Sequence, residues 1–84
     1  MSLPKRFVYI LVSERDPGRY YTGLTSNVPE RLRAHNSGRC LHTVSGMPWA
    51  VSVVVEFSDE ARAVKFERYL KSGSGCAFSR RHLR

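Results

Sequence analysis

The sequence predicts a small mixed α/β domain of the α+β type, with a three-stranded antiparallel sheet flanked by helices in the order β-β-α-β-α-α. Three observations support this prediction. Two runs of strand-forming residues are separated by a turn signal, a third run follows later, and the stretches after them carry helix start and stop signals. The chain has 84 residues, enough for one small core. We therefore expect a single domain over residues 1–84.

The first two strands are predicted to form a hairpin. Residues 6–12 and 19–25 are rich in β-branched and aromatic residues, which favour strands. Asp16-Pro17-Gly18 between them is a strong turn signal. Because side chains alternate across a strand, Tyr20 and Tyr21 should point to opposite faces of the sheet.

A first helix is expected directly after the hairpin. Ser26 or Asn27 can cap its start, and Pro29 suits its first turn. The stretch from Asn36 to Gly38 should end it. Residues 39–48 carry no helix or strand pattern and are predicted to form a loop.

The second half of the chain contains the clearest strand. Residues 49–57 are almost continuously apolar and β-branched. Residues 58–71 are predicted to form the second helix, which Gly73 and Gly75 should end. Residues 76–83 are predicted to form a short, very basic third helix.

The chain carries a large excess of positive charge. It has 14 Lys and Arg against 7 Asp and Glu, a formal net charge of +7, and most of the cations are arginines. Arginine pairs bidentately with phosphate, so this balance favours a nucleic-acid partner, although many small basic proteins bind no specific polyanion. No apolar run approaches the roughly 20 residues of a membrane span, and we expect a cytoplasmic protein.

Two cysteines raise the question of a disulfide or a zinc site. Cys40 and Cys76 are too few for a disulfide-stapled secreted domain. With His42 and His82 they can be written as a Cys-x-His plus Cys-x5-His pattern, but this spacing matches no common structural zinc site. We expect reduced thiols and no zinc.

Glu67 is the most informative residue of the second helix. It borders an apolar stripe formed by Ala63, Phe66 and Leu70. An acidic side chain at the edge of a thin core, in so basic a chain, needs a partner. Two interpretations are open: a salt bridge to one of the arginines, or a ligand for a hard divalent cation.

Other polar residues are ambiguous when each is taken alone. Arg31 and His35 lie four residues apart on one helix face, where they could grip a phosphate or form a solvated basic face. For Tyr9 and Tyr21, half-buried packing is the common fate of a strand tyrosine.

Taken together, these residues resemble the GIY-YIG nuclease family, and especially its small stand-alone bacterial members. Phe7-Val8-Tyr9 stands in place of the family's Gly-Ile-Tyr segment, and Tyr21-Thr22-Gly23 in place of Tyr-Ile-Gly. Arg31, His35 and Glu67 follow in the family's order. The resemblance covers nearly the whole chain.

This resemblance implies metal-dependent hydrolysis of phosphodiester bonds in DNA, with Mg²⁺ or Mn²⁺ as cofactor. Glu67 would anchor the metal ion. Tyr9 would act as general base, with its phenolate favoured by the metal and by Arg31. Arg31 would also offset charge in the transition state, and His35 would orient Tyr9 or shuttle a proton. Selectivity is expected for DNA structure rather than sequence, with a role in repair or recombination.

Further expectations concern the surroundings of this site. Tyr21 would shape it by hydrogen bonding, and Gly23 would let the backbone pass close beside it. Many family members place an asparagine beyond the glutamate, and here that role is either empty or filled by another residue, for which Ser79 is the candidate. The expected nucleic-acid-binding residues are Arg33, Lys71, Arg80 and Arg81. The alternative function is a non-catalytic nucleic-acid-binding module on the same scaffold.

Overall fold

The computed structural model describes residues 3–84 and has the predicted order of elements, β-β-α-β-α-α. The strands are β1 (Phe7–Ser13), β2 (Tyr20–Thr25) and β3 (Trp49–Glu56). The helices are α1 (Val28–Asn36), α2 (Glu60–Leu70) and α3 (Gly73–His82). The strands form one antiparallel sheet in the order β2-β1-β3. Met1 and Ser2, which the predicted domain includes, lie outside the described residues.

One face of the sheet packs against α2 and α3. Val8 and Ile10 of the central strand point to this face, where they meet Ala63 and Leu70. Phe66 packs against the same cluster. The predicted stripe of α2 therefore does face the sheet, and it holds Glu67 at the border of this core.

The other face of the sheet is covered by α1. Tyr9 and Leu11 alternate with the residues of the first cluster and pack with Trp49. Val28 and Leu32 of α1 complete this second cluster. Because β1 is central, its side chains are buried on both faces, and this fixes the position of Tyr9.

The two adjacent tyrosines of β2 separate as predicted. Tyr20 packs with the cluster under α2 and α3, and Arg84 lies 4.4 Å from its ring centroid. Tyr21 packs with the cluster under α1. The alternation of side chains along a strand explains why only one of them reaches Tyr9.

Helix caps follow the sequence signals closely. Asn27 caps α1, because its side-chain oxygen accepts a hydrogen bond from the Glu30 backbone nitrogen at 3.1 Å, and Pro29 lies in the first turn. Asp59 caps α2 by accepting a bond from the Arg62 backbone nitrogen at 2.8 Å. Each cap satisfies a backbone donor that the helix itself leaves unpaired.

The prediction for the start of the third helix was wrong. Gly73 and Gly75, expected to end the second helix, lie in the first turn of α3, while α2 already ends at Leu70. Ser72 caps α3 by accepting a bond from the Gly75 backbone nitrogen at 3.1 Å. A Cβ at Gly75 would overlap the backbone oxygen of Tyr69, so the absence of a side chain lets α3 begin this close to α2.

The loop after α1 is more ordered than its sequence indicated. It contains a short 3₁₀ helix, Val44–Gly46. The Trp49 indole nitrogen donates to the Thr43 carbonyl at 2.7 Å, and the Asn36 side chain bonds both the backbone nitrogen and the carbonyl oxygen of Trp49, at 2.6 and 2.9 Å. These bonds hold Thr43 beside α1.

Two further expectations are addressed by the fold. Cys40 and Cys76 are both free thiols, with Cys76 exposed. Across residues 3–84, no helix combines the length and apolar character that a membrane-spanning segment requires.

Candidate active site

A cavity of about 420 Å³ lies beside β2, which forms one edge of the sheet. Its walls come from the start of β1, from β2 and from the two helices α1 and α2. It is lined by Lys5, Tyr9, Tyr21, Gly23, Leu24, Thr25, Arg31 and Glu67. Five residues predicted to belong to one site therefore meet here, although they are spread over almost 60 positions of the sequence.

Tyr9 lies across Gly23 at the base of this cavity. The two residues are paired in the β1–β2 ladder, and Tyr9 is 1% exposed. A Cβ added to Gly23 would overlap the hydroxyl oxygen of Tyr9. The glycine thus makes the space into which the tyrosine hydroxyl projects.

Tyr21 and His35 enclose the Tyr9 ring from the α1 side. The Tyr21 ring centroid lies 4.8 Å from that of His35 and 6.4 Å from that of Tyr9. His35 is fully buried, at 0% exposure. Packing against these two rings holds the Tyr9 side chain in one position.

A chain of hydrogen bonds runs from Tyr9 into the protein. The Tyr9 hydroxyl is 2.9 Å from His35 Nε2, and His35 Nδ1 is 2.9 Å from the Thr43 hydroxyl. The Thr43 hydroxyl in turn donates to the Cys40 carbonyl at 3.3 Å. His35 therefore does not line the cavity but stands directly behind Tyr9.

Burial controls the charge states of this group. It raises the pKa of Tyr9 to about 12, and the neighbouring Arg31 guanidinium lowers that pKa only in part. Arg31 therefore does favour the phenolate, as expected, but the effect of burial on the pKa of Tyr9 is larger. Burial and the Arg31 charge lower the pKa of His35, whereas the bond to Tyr9 raises the pKa of Arg31. Tyr9 and His35 are thus neutral, and Arg31 is cationic, at neutral pH.

Comparisons with known proteins identify the family of this chain. The chain matches the family profile described as the GIY-YIG catalytic domain over residues 5–76. It belongs to the GIY-YIG family. The region of the match contains every residue that meets at the cavity.

Relatives of this GIY-YIG protein come from fungi and bacteria. It is 40% identical over 65 residues to the structure-specific endonuclease subunit slx1 of Schizosaccharomyces pombe, covering 70% of this chain and 24% of that protein. It is 37% identical over 67 residues to SLX1 of Scheffersomyces stipitis, covering 71% and 20%. It is 34% identical over 61 residues to a UPF0213 protein of Bacillus cereus, covering 71% and 64%. No solved structure matches it significantly.

Glu67 has a partner that the sequence did not suggest. Its carboxylate is 2.6 Å from the Lys71 ammonium, one helical turn later. The Glu67 side chain is 15% exposed and that of Lys71 is 54% exposed. The sequence had suggested either an arginine or a metal ion as this partner. Glu67 lines the cavity although its carboxylate is paired with the half-exposed lysine.

The residues of this GIY-YIG site fit a magnesium-type ion better than a zinc-type ion. Among residues 3–84, no three His, Cys, Asp or Glu side chains are grouped so that they could hold a metal by themselves. Magnesium keeps several waters and often binds through one or two carboxylates plus substrate phosphates. One carboxylate, Glu67, on a cavity wide enough for a phosphate matches that pattern.

Several predicted residues lie away from the cavity. Arg33 is exposed on α1, and Arg80 and Arg81 are exposed on α3; none of the three lines the site. Ser79 is buried within α3 at 4% exposure and also does not line it, so it is not placed for the asparagine's role.

Two residues near the site were missed by the sequence reasoning. Lys5 lines the cavity from the segment before β1. Thr43 is 1% exposed and bonds His35. Neither residue belongs to a motif in the sequence. Thr43 lies in a loop, and only the folded chain brings it next to His35.

Proposed function

We propose that this chain is a divalent-metal-dependent DNA endonuclease that hydrolyses phosphodiester bonds. One arrangement carries the proposal: Tyr9, bonded to the neutral His35, faces the same cavity as Arg31 and Glu67. These groups supply a proton acceptor, a fixed positive charge and a hard oxygen ligand, which phosphodiester hydrolysis requires. The fungal relatives, described as structure-specific endonuclease subunits, support it.

The proposed reaction begins with a water molecule in the cavity beside Tyr9. As the water oxygen attacks phosphorus, its proton passes to the Tyr9 hydroxyl oxygen, and the proton of Tyr9 passes to His35 Nε2. The bond from phosphorus to the leaving sugar oxygen breaks, and that oxygen takes a proton from solvent. Tyr9 can thus relay a proton while neutral, whereas a pKa of about 12 makes a preformed phenolate rare at neutral pH.

Arg31 would stabilise the transition state. Its side chain lines the cavity, and its guanidinium interacts with the Tyr9 side chain. A five-coordinate phosphorus carries more negative charge on its oxygens than the substrate does, and a fixed cation offsets that charge without reorganising.

Glu67 would hold the metal ion, Mg²⁺ or Mn²⁺. Such an ion would supply positive charge that offsets the negative charge of the reacting phosphate. The Lys71 ammonium forms an ion pair with the Glu67 carboxylate at 2.6 Å, and it must move away before a metal ion can bind there. Because the Lys71 side chain is 54% exposed, it can do so at little cost and then meet a phosphate.

We further propose that the substrate is DNA recognised by its structure and not by its sequence. The net charge of +7 supplies attraction to any phosphate backbone. The fungal slx1 relative carries the words structure-specific in its name, and the chain spans about a quarter of its length. We also propose a role in DNA repair or recombination, in the cytoplasm, because those processes produce branched DNA.

A non-catalytic nucleic-acid-binding module is the second candidate. The Glu67–Lys71 ion pair favours it, because a carboxylate held by an internal lysine is less available to a metal. This candidate retains the positive surface but predicts no metal-dependent strand cleavage.

Cleavage by purified protein separates the two candidates. Branched, single-stranded and duplex DNA, and the matching RNAs, would be incubated with Mg²⁺, Mn²⁺ or EDTA. The endonuclease proposal predicts metal-dependent cuts that are strongest in branched DNA. Binding without cuts in any metal would favour the module.

A further inference from the structure

A second cleft runs along α1 next to the active-site cavity. It has a volume of about 350 Å³ and shares Thr25 and Arg31 with that cavity. It is also lined by Asn27, Glu30, Arg33, Ser37 and Arg39. We call this feature the α1 cleft. Because two residues line both spaces, a chain lying in one can continue into the other.

The α1 cleft lies on the outer face of its helix. Glu30, Arg33 and Ser37 follow one another at helical spacing, while His35 on the inner face is fully buried. Gly38 then adopts φ 81°, a left-handed turn that glycine makes easily, and Arg39 lines the same cleft. Side chains of α1 and the side chain of Arg39, which follows the turn, therefore line the same cleft.

Positive charge dominates the α1 cleft. Arg31, Arg33 and Arg39 stand against the single carboxylate of Glu30. Within residues 3–84, neither Arg33 nor Arg39 belongs to a salt bridge, and both are exposed. Unpaired guanidinium groups beside hydroxyls and an amide favour phosphate, which they can bind bidentately.

We propose that the α1 cleft binds the nucleic-acid strand on one side of the scissile phosphate. This inference rests on the proposed function for the identity of the cutting site. Arg31 would stand at the junction, while Arg33 and Arg39 hold neighbouring phosphates. The strand would then leave the active site along α1 and not across α3.

Binding in EDTA tests the α1 cleft without requiring cleavage. The double variant Arg33→Gln/Arg39→Gln would be compared with Arg80→Gln/Arg81→Gln, which removes the same charge from α3. We expect the first pair to reduce affinity for a labelled single-stranded DNA at least tenfold more than the second. The slope of log affinity against log salt should also fall by about one for each phosphate contact removed. Equal losses would overturn the proposal, because they indicate general attraction only.

Strand truncation gives a second and sharper test. Removing nucleotides from the flank that occupies the α1 cleft should weaken binding by the wild type and leave the Arg33/Arg39 variant unaffected. An effect of truncation that is the same in both proteins would contradict the assignment. Failure of the endonuclease proposal would give a different result: DNA would bind in the α1 cleft as described, but it would not be cleaved with any metal ion.

An independent observation concerns Thr43, the buried residue behind His35. Its hydroxyl lies 2.9 Å from His35 Nδ1 and 3.3 Å from the Cys40 carbonyl oxygen. A carbonyl only accepts, so the hydroxyl proton is directed to Cys40 and its lone pair to His35. His35 Nδ1 then carries the ring proton, and Nε2 is left to accept from Tyr9.

We infer that Thr43 is a positioning residue that fixes this tautomer of His35. Its backbone is held independently, since the Thr43 carbonyl accepts from the Trp49 indole at 2.7 Å. Loss of the hydroxyl should therefore change the histidine without releasing the loop. The opposite tautomer would put a proton between Nε2 and Tyr9 and prevent His35 from accepting one.

Nitrogen NMR of His35 and the pair Thr43→Val and Thr43→Ser test this role. The wild type should show protonated Nδ1 and unprotonated Nε2, and serine should preserve this pattern. Valine, of nearly the same shape, should mix the tautomers and lower kcat about 10- to 100-fold with KM unchanged. A wild-type spectrum with protonated Nε2 would overturn the inference even if the valine variant failed to fold. A valine variant with an unchanged tautomer and an unchanged kcat would overturn it as well.

Discussion

Tyr9 is a poor general base by itself and can act as one only together with His35. Burial raises its pKa to about 12, so at neutral pH it carries its proton. The bond from its hydroxyl to His35 Nε2, at 2.9 Å, gives that proton a destination. The pair, and not the tyrosine by itself, is the base in the mechanism we propose.

This pairing predicts the pH dependence of cleavage. Burial and Arg31 hold the pKa of His35 below its ordinary value of 6.5, so His35 is an acceptor above that pH and loses this ability as pH falls through the lowered pKa. Single-turnover cleavage in Mg²⁺ should be flat from about pH 7 to 9 and decline in acid. In His35→Gln the plateau should give way to a rise with pH. A wild-type rate that climbs tenfold per pH unit above 7 would show that Tyr9 must ionise first.

The Glu67–Lys71 pair predicts a measurable competition for the metal site. Because the Lys71 side chain is half-exposed, its ion pair with Glu67 contributes up to about 1 kcal/mol, so Lys71→Met should raise the affinity for Mn²⁺ by up to about fivefold. Titration followed by electron paramagnetic resonance measures this without any cleavage. Lys65→Met, an exposed position on the same helix, is the matched control. Equal Mn²⁺ affinity in both variants would show that Lys71 does not compete.

At the scale of elements, the sequence predicted almost the whole fold because its local signals agree with each other. Asn27 and Asp59 mark helix starts, and the alternation around Tyr20 and Tyr21 gives the faces of β2. The sequence did not predict the start of α3, because glycine is a poor helix former. The reason for a glycine at position 75 is its close approach to the Tyr69 backbone, which only the folded structure shows. Thr43 was missed for a similar reason.

The close approach of α2 and α3 predicts different outcomes for two neighbouring glycines. A Cβ at Gly75 would overlap the Tyr69 backbone oxygen, whereas a Cβ at Gly73 would meet no atom within 4 Å. Gly75→Ala should therefore lower the free energy of unfolding by about 1–3 kcal/mol. Gly73→Ala should leave it unchanged or raise it slightly, because alanine favours helix. Urea denaturation measures both, and a Gly75→Ala variant as stable as Gly73→Ala would contradict this account of α3.

At the scale of the molecule, positive charge is spread over the whole protein, whereas the groups suited to catalysis are gathered in one cavity. The net charge of +7 attracts phosphate from all directions, while the cavity beside β2 collects the groups suited to chemistry. The sequence indicated both properties. It could not show that the α1 cleft adjoins the cavity, because Arg39 comes back to the helix surface only through the turn at Gly38.

This division predicts binding that is electrostatic and weakly sequence-selective. Affinity for DNA measured in EDTA should fall steeply with salt, since each phosphate contact releases counterions. Oligonucleotides of scrambled sequence should bind within a few-fold of each other. A flat salt dependence would remove nucleic acid as the partner.

Cleavage by Glu67→Gln is the most direct test of the metal-dependent endonuclease. The amide is nearly isosteric, and loss of the ion pair with the half-exposed Lys71 should cost under about 1 kcal/mol of stability, so the variant should fold and still bind DNA. Its cleavage in Mg²⁺ should fall by more than about 100-fold, because even outer partners of metal ligands contribute 10- to 100-fold. Glu56→Gln, the same change on the exposed end of β3, should cut at the wild-type rate. A stable Glu67→Gln variant that binds DNA and cuts as fast as the wild type would contradict the central claim.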